Sequence, residues 1–447
     1  MSSTKNFEEY CKMPYYIFYS QEDRVIAWSS ETEKIKKMTF EEVYDKNYKS
    51  YKMIKAGFEA TPAGLKLYVE EFHRCVEELK NNKISINKRI IPINWFQYSN
   101  NNTAVISTFH RLAKGRYEKD VHEVIGNVEA QWMEKCYKSG IRNVDAKYIG
   151  KPVICYSYDF RLCHPTVMAN EYLKVPTKSG KEHTLSKIPE LGNLDIGYYH
   201  VKITCANKQF CKIFSYSKDH VYANGSLHQA QYYQKDFDVK IELVMDGKPN
   251  AYLYDKSCCM TGKEIFREWF SYMIRMKKRI RGNFLVKFLA SSLSGELSRQ
   301  KYIWKSSEQI ESEKLDVGFD LDGHDYYIMN YLPDKDLYKL RDCKQPFVYN
   351  IRFKPFMTAF VRNKVGRLAM TDLPNTVRVF EDCVSFAVPK VFKLVDLSYE
   401  EKSSGLAIYT STVKAKHSDK FFQHLQENDK ECYNAMLNVC KIRQKIK

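Results

Sequence analysis

The sequence contains no C-x-x-C pair, no long apolar run and little glycine or proline, and each shortage closes off a class of protein. Its 13 cysteines are scattered, so neither a zinc ribbon nor a regular disulfide framework is indicated, and they read as reduced thiols inside a cell. No segment reaches the roughly 18 uninterrupted apolar residues that a membrane-spanning helix needs. The first 30 residues lack an apolar stretch between a basic start and a small-residue cleavage site, so no secretory signal is expected. With only 18 Gly and 13 Pro among 447 residues, collagen-like and low-complexity chains are excluded. Acidic residues are short too: 54 Asp and Glu stand against 71 Lys and Arg, a formal net charge of +17. An intracellular, soluble protein with no membrane partner is the expectation.

What is present is a globular composition, 44% hydrophobic and 28% charged, at a length that suits about two to four domains. Aromatics make up 14%, carried by 33 Tyr and 25 Phe, and the sequence pI is near 9.1. A large basic, aromatic-rich chain points to a polyanionic partner, nucleic acid before an anionic membrane surface. Lysines solvated on an indifferent surface would give the same sum.

Periodicity predicts an α+β fold. The runs YYIFYS and RVIAWSS, parted by Gln21, Glu22 and Asp23, read as a β-hairpin. Thr61 and Pro62 mark a helix start, with Tyr68, Phe72, Val76 and Leu79 following at helical spacing. GYYHVKIT from Gly197, CKIFSYS from Cys211 and VKIELVM from Val239 read as strands. Thr261 and Glu264 fit a capping box ahead of a helix with the apolar stripe Phe266, Phe270, Met273 and Ile274. Its far end is basic, with Arg275, Lys277, Lys278, Arg279, Arg281 and Lys287 and no acidic residue among them. A helix over Lys354 to Met370, then a hairpin of VRVF and VSFAV turning at Glu381, Asp382 and Cys383, follow. The tail from Asp419 is helical in pattern.

Three local patterns bear on chemistry. In YSYDFRLCHPTVMAN, residues 156–170, a β-type run delivers Asp159 at its end and a bulky stretch closes on Pro165. KFLASSLSGELS, from Lys287, is a helical segment with a basic head and small residues at Ser291, Ser292, Ser294 and Gly295. VRVFEDCVSF puts Asp382 at a hairpin tip. Alone, each has an ordinary structural account: a strand-end Asp caps a helix, a Lys before small residues is a solvated face over close helix packing, and acidic residues suit a turn. Together they match a chemical need. Phosphoryl transfer with two divalent ions requires two carboxylates close enough to share them, and cations on the triphosphate. Carboxylates on separate strand ends can meet in one sheet, and a basic face around Lys287 would neutralise charge building on a leaving pyrophosphate.

In this order the segments resemble the family B DNA polymerases, most closely their protein-primed branch of viruses, virophages, linear plasmids and Maverick-type elements. YDFRLCHPTVMAN is similar to that family's D-x-x-S-L-Y-P-S, with Asp159, Pro165 and Thr166 matching. KFLASSLSG is similar to K-x-x-x-N-S-L-Y-G, keeping Lys287, Ser292, Leu293 and Gly295, and FEDC keeps the second Asp of D-T-D-S as Asp382. GYYHVKIT, PNAYLYDKSCCMTGKEIF and FKPFMTAFVRNKVGRLAM resemble palm and fingers segments, and QWMEKCYKSGI resembles the template-contacting segment ahead of the first motif. The resemblance covers about residues 130–400. It implies a right-hand architecture with an antiparallel-sheet palm, helical fingers and a small thumb. The expected divisions are an N-terminal α+β region over 1–130, palm over 131–260, fingers over 261–305, palm again over 306–395 and a thumb-like region over 396–447.

The resemblance also implies an activity: template-directed addition of deoxynucleotides to a primer 3′ hydroxyl, in replication of a viral or mobile genetic element. Asp159 and Asp382 would be catalytic, with Asp159, Phe160 and Asp382 holding Mg²⁺ or Mn²⁺. Lys287, helped by Arg275 or Arg279, would hold the dNTP phosphates, with His164, Ser291 and Ser294 also at the nucleotide. Tyr137, Lys138, Gly140 and Gly295 would contact template or primer DNA. A protein primer, a separate exonuclease or another replication subunit are further partners implied, in nucleus, cytoplasm or a viral replication site. The chain departs from the family at informative places. His164 replaces the Tyr that excludes ribonucleotides, Ser291 and Ser294 replace Asn and Tyr, and Phe380 replaces the first Asp of the third motif. Residues 1–130 hold no D-x-E of the kind that opens the family's proofreading exonuclease. These departures raise an alternative, a polymerase-like nucleic-acid-binding or scaffold protein that has lost the chemistry.

Overall fold

The computed structural model describes residues 9–21, 24–54, 57–86, 89–113, 122–136, 139–160, 162–319, 324–333, 336–389 and 399–408. They fall into two compact units, one from Met1–Val121 with Lys263–Arg299 and the other from His122–Gly262 with Gln300–Lys447. Most of the segment expected to form fingers therefore shares a unit with the N-terminal region, and the segments expected to form palm share the other. Among the described residues no helix is long and apolar enough to cross a membrane.

The first unit is built on a sheet of β1 (Tyr15–Gln21), β2 (Arg24–Ser29), β3 (Ile35–Met38) and β4 (Lys49–Lys52), in the order β3-β2-β1-β4. β1 and β2 form the expected hairpin, with Tyr16 opposite Ser29, while β4 runs parallel to β1. Ile17 and Phe18 are adjacent and both fully buried, so β1 is covered on both faces. The first long helix, α1 (Pro62–Lys80), starts where the sequence signals: the Thr61 hydroxyl accepts the Gly64 N–H at 3.0 Å, and Pro62 occupies a position whose N–H needs no partner. Its buried stripe includes Tyr68, Phe72, Val76 and Leu79. Later in the chain α2 (Gly262–Arg279) and the helix Phe284–Glu296 complete this unit. Asn283 caps the second, its side-chain oxygen accepting the N–H groups of Leu285 and Val286 while its amide donates to Cys75 O at 3.0 Å on α1.

The second unit centres on a five-stranded antiparallel sheet. Its members are β5 (Ile141–Val144), β6 (Pro152–Phe160), β7 (Thr376–Glu381), β8 (Cys383–Phe386) and β9 (Tyr399–Ile408), in the order β9-β6-β8-β7-β5. Alternation divides its residues between two faces. Tyr158, Phe160, Val379, Val384 and Phe386 are buried on one, and the 17-residue helix α3 (Lys354–Met370) packs against β7 and β8. The other face carries Asp159, Ser157, Cys383, Arg378 and Phe380, each partly open, with Ser385 and Val144 buried in the same rows. A buried ion pair pins the helical segment Asn127–Lys135 to the run before α3: the Arg352 Nε donates to Glu129 Oε1 at 2.5 Å, and the Tyr254 hydroxyl donates to the same oxygen at 2.7 Å. One strand expectation fails. Residues from Cys211 begin inside a 3₁₀ turn, Lys208–Lys212, because Phe210 and Phe214, four apart, stack at 5.0 Å and the Lys212 ammonium is drawn inward to Asp145 at 2.6 Å.

Candidate active site on the open sheet face

β6 ends at Phe160, and the strand register fixes what stands beside its last residues. Asp159 lies directly opposite Cys383 on β8, and the Phe160 N–H donates to the Asp382 carbonyl at 3.2 Å. Asp382 occupies the two-residue turn between β7 and β8, since Phe380 pairs with Cys383 across it. The two acidic residues that the motifs single out are thus brought to one corner of one sheet. A short helix, Cys163–Met168, follows β6. There burial pushes the Cys163 thiol up, and the nearby charges of Asp382 and Asp159 push it further, so all three side chains share one electrostatic neighbourhood. Phe160 itself is 6% exposed on the covered face, so any part it takes at this corner is through its backbone.

Both approaches to the corner are strained. Leu162 holds φ at +48° and Glu381 at +57°, in the left-handed region that L side chains rarely enter. At Glu381 the hairpin requires it, because a two-residue loop matches the strand twist only with positive φ, and glycine is the usual occupant. Gly140 explains how the tip is seated: a Cβ there would meet Glu381 Cα at 2.8 Å. Gly140, expected at nucleic acid, is in contact with the hairpin tip, while Tyr137 and Lys138 lie outside the described residues.

His164 is half-buried on the short helix after β6, and its imidazole is held below the usual value by burial first and the Lys354 charge second, with Glu381 pulling the other way. Lys354 was not singled out by any motif. It opens α3, whose first turn has no acidic residue, so a cation sits against the positive end of the helix dipole. That mismatch was a legible signal. On β9 the Cα of Glu400 stands opposite Asp159. The row on this face therefore runs Arg142, Phe380, Cys383 and Asp159, from β5 to β6.

The other expected residues belong to the first unit. On the helix Phe284–Glu296, Lys287, Ser291 and Gly295 are exposed at spacings of four, one open face, whereas Ser294 is 5% exposed on the packed side. Arg275 spends its guanidinium locally, donating to Ser85 O at 2.7 Å, and Arg279 is exposed at the end of its helix. Lys287, Ser291, Ser294, Gly295, Arg275 and Arg279 thus stand in one unit, and Asp159, Phe160, His164, Gly140 and Asp382 in the other.

No protein-family model and no curated protein sequence matches the chain. Its fold, mixed α and β with antiparallel sheets, is similar to that of phi29 DNA polymerase. Solved structures that it resembles include those of phi29 DNA polymerase in several complexes. With the primer-template DNA binary complex the TM-score is 0.52 at 10% identity, over 89% of this chain and 86% of that one. With the ternary complex of primer-template DNA and incoming nucleotides it is 0.51 at 11% identity, over 83% and 68%. With the single-stranded DNA complex it is 0.51 at 12% identity, over 80% of this chain but only 58% of the polymerase.

Proposed function

We propose that the chain is a template-directed DNA polymerase of the family B, protein-primed kind, which extends a primer 3′ hydroxyl in the replication of a viral or mobile genetic element. The observation that carries this reading is the register that sets Asp159 opposite Cys383 and next to Asp382. Two neighbouring carboxylates suit Mg²⁺ (or Mn²⁺), which is held by one or two carboxylates together with substrate phosphates rather than by an all-protein cage. Asp159 and Asp382 would hold the ions, with Phe160 contributing its backbone. When bound, such ions polarise the phosphoryl oxygens and acidify the attacking hydroxyl. Lys287, with Arg279 or Arg275, neutralises the dNTP phosphates, Ser291 and Ser294 belong to the same helix, and His164 packs at the sugar. Gly140, Gly295, Tyr137 and Lys138 are the proposed contacts to template or primer DNA. The likeness to phi29 DNA polymerase supports the fold this chemistry requires.

Extension of a labelled primer on a DNA template with Mg²⁺ and dNTPs tests the reading. Asp159→Asn or Asp382→Asn should each lower the rate on the order of 10²–10³-fold, the loss that follows removal of one charge-stabilising group. Undiminished extension by either variant would overturn the metal assignment. One observation favours the second reading, a polymerase-like nucleic-acid-binding or scaffold protein: Phe380, at the position of the family's first Asp, holds its ring against the guanidinium groups of Arg142 and Arg378 and offers no carboxylate to a metal ion. Tight DNA binding with no extension under either metal would favour that protein.

A further inference from the structure

We infer that Trp304 and Lys339 form a stacking site for an unpaired base and its phosphate, on a small sheet of the second unit that the proposed chemistry does not use. The strand Leu337–Asp342 lies there between the strands Tyr302–Lys305 and Tyr326–Leu332. Register sets Arg341 opposite Tyr302 and Lys339 opposite Trp304, with Asn330 on the far side of Lys339, so these side chains share one face. One end of that face is anchored: Arg341 is 1% exposed, and it and Gln300 both donate to the Glu134 carboxylate. The other end stands open, with Met329, Tyr331 and Leu332 exposed and Trp304 46% exposed. A single exposed apolar side chain is ordinary, but four gathered at one end of a sheet form a surface.

The charge at this surface indicates its occupant. Nearby lysines are spent on carboxylates, Lys301 on Asp342, Lys305 on Glu313 and Lys344 on Asp325. Lys339 instead rests its ammonium on rings, 4.1 Å from the Tyr302 centroid and 6.0 Å from that of Trp304. A ring face attracts a cation without cancelling its charge, so the lysine keeps its pull on an anion. An exposed indole beside such a cation offers the two contacts a flexible strand takes, a flat face for one base and a charge for the phosphate next to it. Duplex DNA can use only the second, because its bases hide their faces in their own stack. Among the described residues Tyr302–Lys305 has a sheet partner on one side only, which leaves a strand room to cross the edge. A polyanionic strand is also the occupant that the +17 charge of the chain favours.

The inference shares only a nucleic-acid partner with the function proposed above, and catalysis plays no part in its test. Of the five tryptophans Trp304 alone is exposed, so its emission reports the site. Oligo(dT) is titrated into the full chain in EDTA, with blunt duplex DNA and poly-L-glutamate as comparisons, and anisotropy of labelled oligo(dT) gives affinities across a salt series. The single strand should quench the wild-type emission. Trp304→Phe should remove that quenching while keeping the affinity within about twofold, since a phenyl ring still stacks, and Trp304→Ala should weaken oligo(dT) binding about tenfold and leave duplex binding unchanged. Lys339→Gln should lower the slope of log affinity against log salt by about 0.7, the share of one phosphate contact on a single strand. Thermal unfolding confirms that each variant is folded. Wild-type emission unmoved by saturating oligo(dT) overturns the site, as does a folded Trp304→Ala that binds oligo(dT) like wild type or loses duplex binding equally. Equal quenching by poly-L-glutamate overturns it too, in favour of an acidic protein partner. The two readings separate: extension that needs Asp382 without quenching sinks the stacking site alone, and Trp304-dependent quenching alongside undiminished extension by Asp382→Asn sinks the metal assignment alone.

Discussion

At the scale of single residues, the corner that holds Asp159 and Asp382 depends on backbone states that neighbours must enforce. Gly140 is the clearest case, because an added methyl would collide with main chain rather than with a flexible side-chain end. Gly140→Ala should cost about 1–3 kcal/mol, the range for overpacking, read as a lower denaturant midpoint at unchanged m-value. By displacing the Glu381–Asp382 tip it should also slow extension more than it weakens DNA binding. His164 offers a second test. An imidazole is bulky enough to press on a 2′-hydroxyl, so His164→Ala should narrow the preference for dNTPs over rNTPs in extension, and an unchanged ratio would remove the residue from sugar selection.

Among elements, the described part of the second unit is held by charge pairs taken out of water. Arg352 and Glu129 are 0% and 2% exposed by side chain, and Arg352 also donates to the Glu123 and Val124 carbonyls. A buried pair is weak proof of stability, but breaking one side strands the other charge. Arg352→Met should therefore cost about 3–5 kcal/mol, and the Arg352→Met/Glu129→Gln double variant should recover part of that loss in equilibrium unfolding. His122 lies within reach of the same arginine. Burial, then the Arg352 charge, brings its imidazole down to about 4 from the usual 6.5. Because the folded value is the lower one, the unfolded chain binds the proton first: the contribution is complete above about pH 6.5 and fades as pH falls toward 4, about 3 kcal/mol in all. Unfolding free energy measured between pH 7 and 4 should fall more steeply for wild type than for His122→Gln.

For the molecule as a whole, the charge surplus and the composition of β1 lead to separate expectations. DNA affinity should drop steeply with salt, since each neutralised phosphate releases counterions. β1 reads YYIFYSQ and holds no carboxylate, and its Tyr15 hydroxyl instead meets the His73 imidazole at 2.6 Å within an aromatic cluster with Trp28, Tyr51 and Phe96. Incubated with Mg²⁺ and a 5′-labelled strand, the chain should leave the strand its full length; progressive shortening would place a nuclease in a part of the chain where none is expected.

Several elements were fully legible in the residues. Thr61 and Pro62 start α1, the apolar spacing of Lys354 to Met370 is α3, and VRVF with VSFAV is the β7–β8 hairpin, because caps, helical periods and turns depend on residues close together in the chain. The sequence likewise specified which carboxylates to watch. Only the tertiary structure decided that the end of β6 meets the β7–β8 turn, that Ser294 faces inward while Lys287 faces out, and that two arginines share the ring of Phe380. Register across strands distant in sequence is chosen by the burial of Tyr158, Phe160, Val379 and Val384 on the opposite face, and that burial exists only once the whole sheet and α3 have come together.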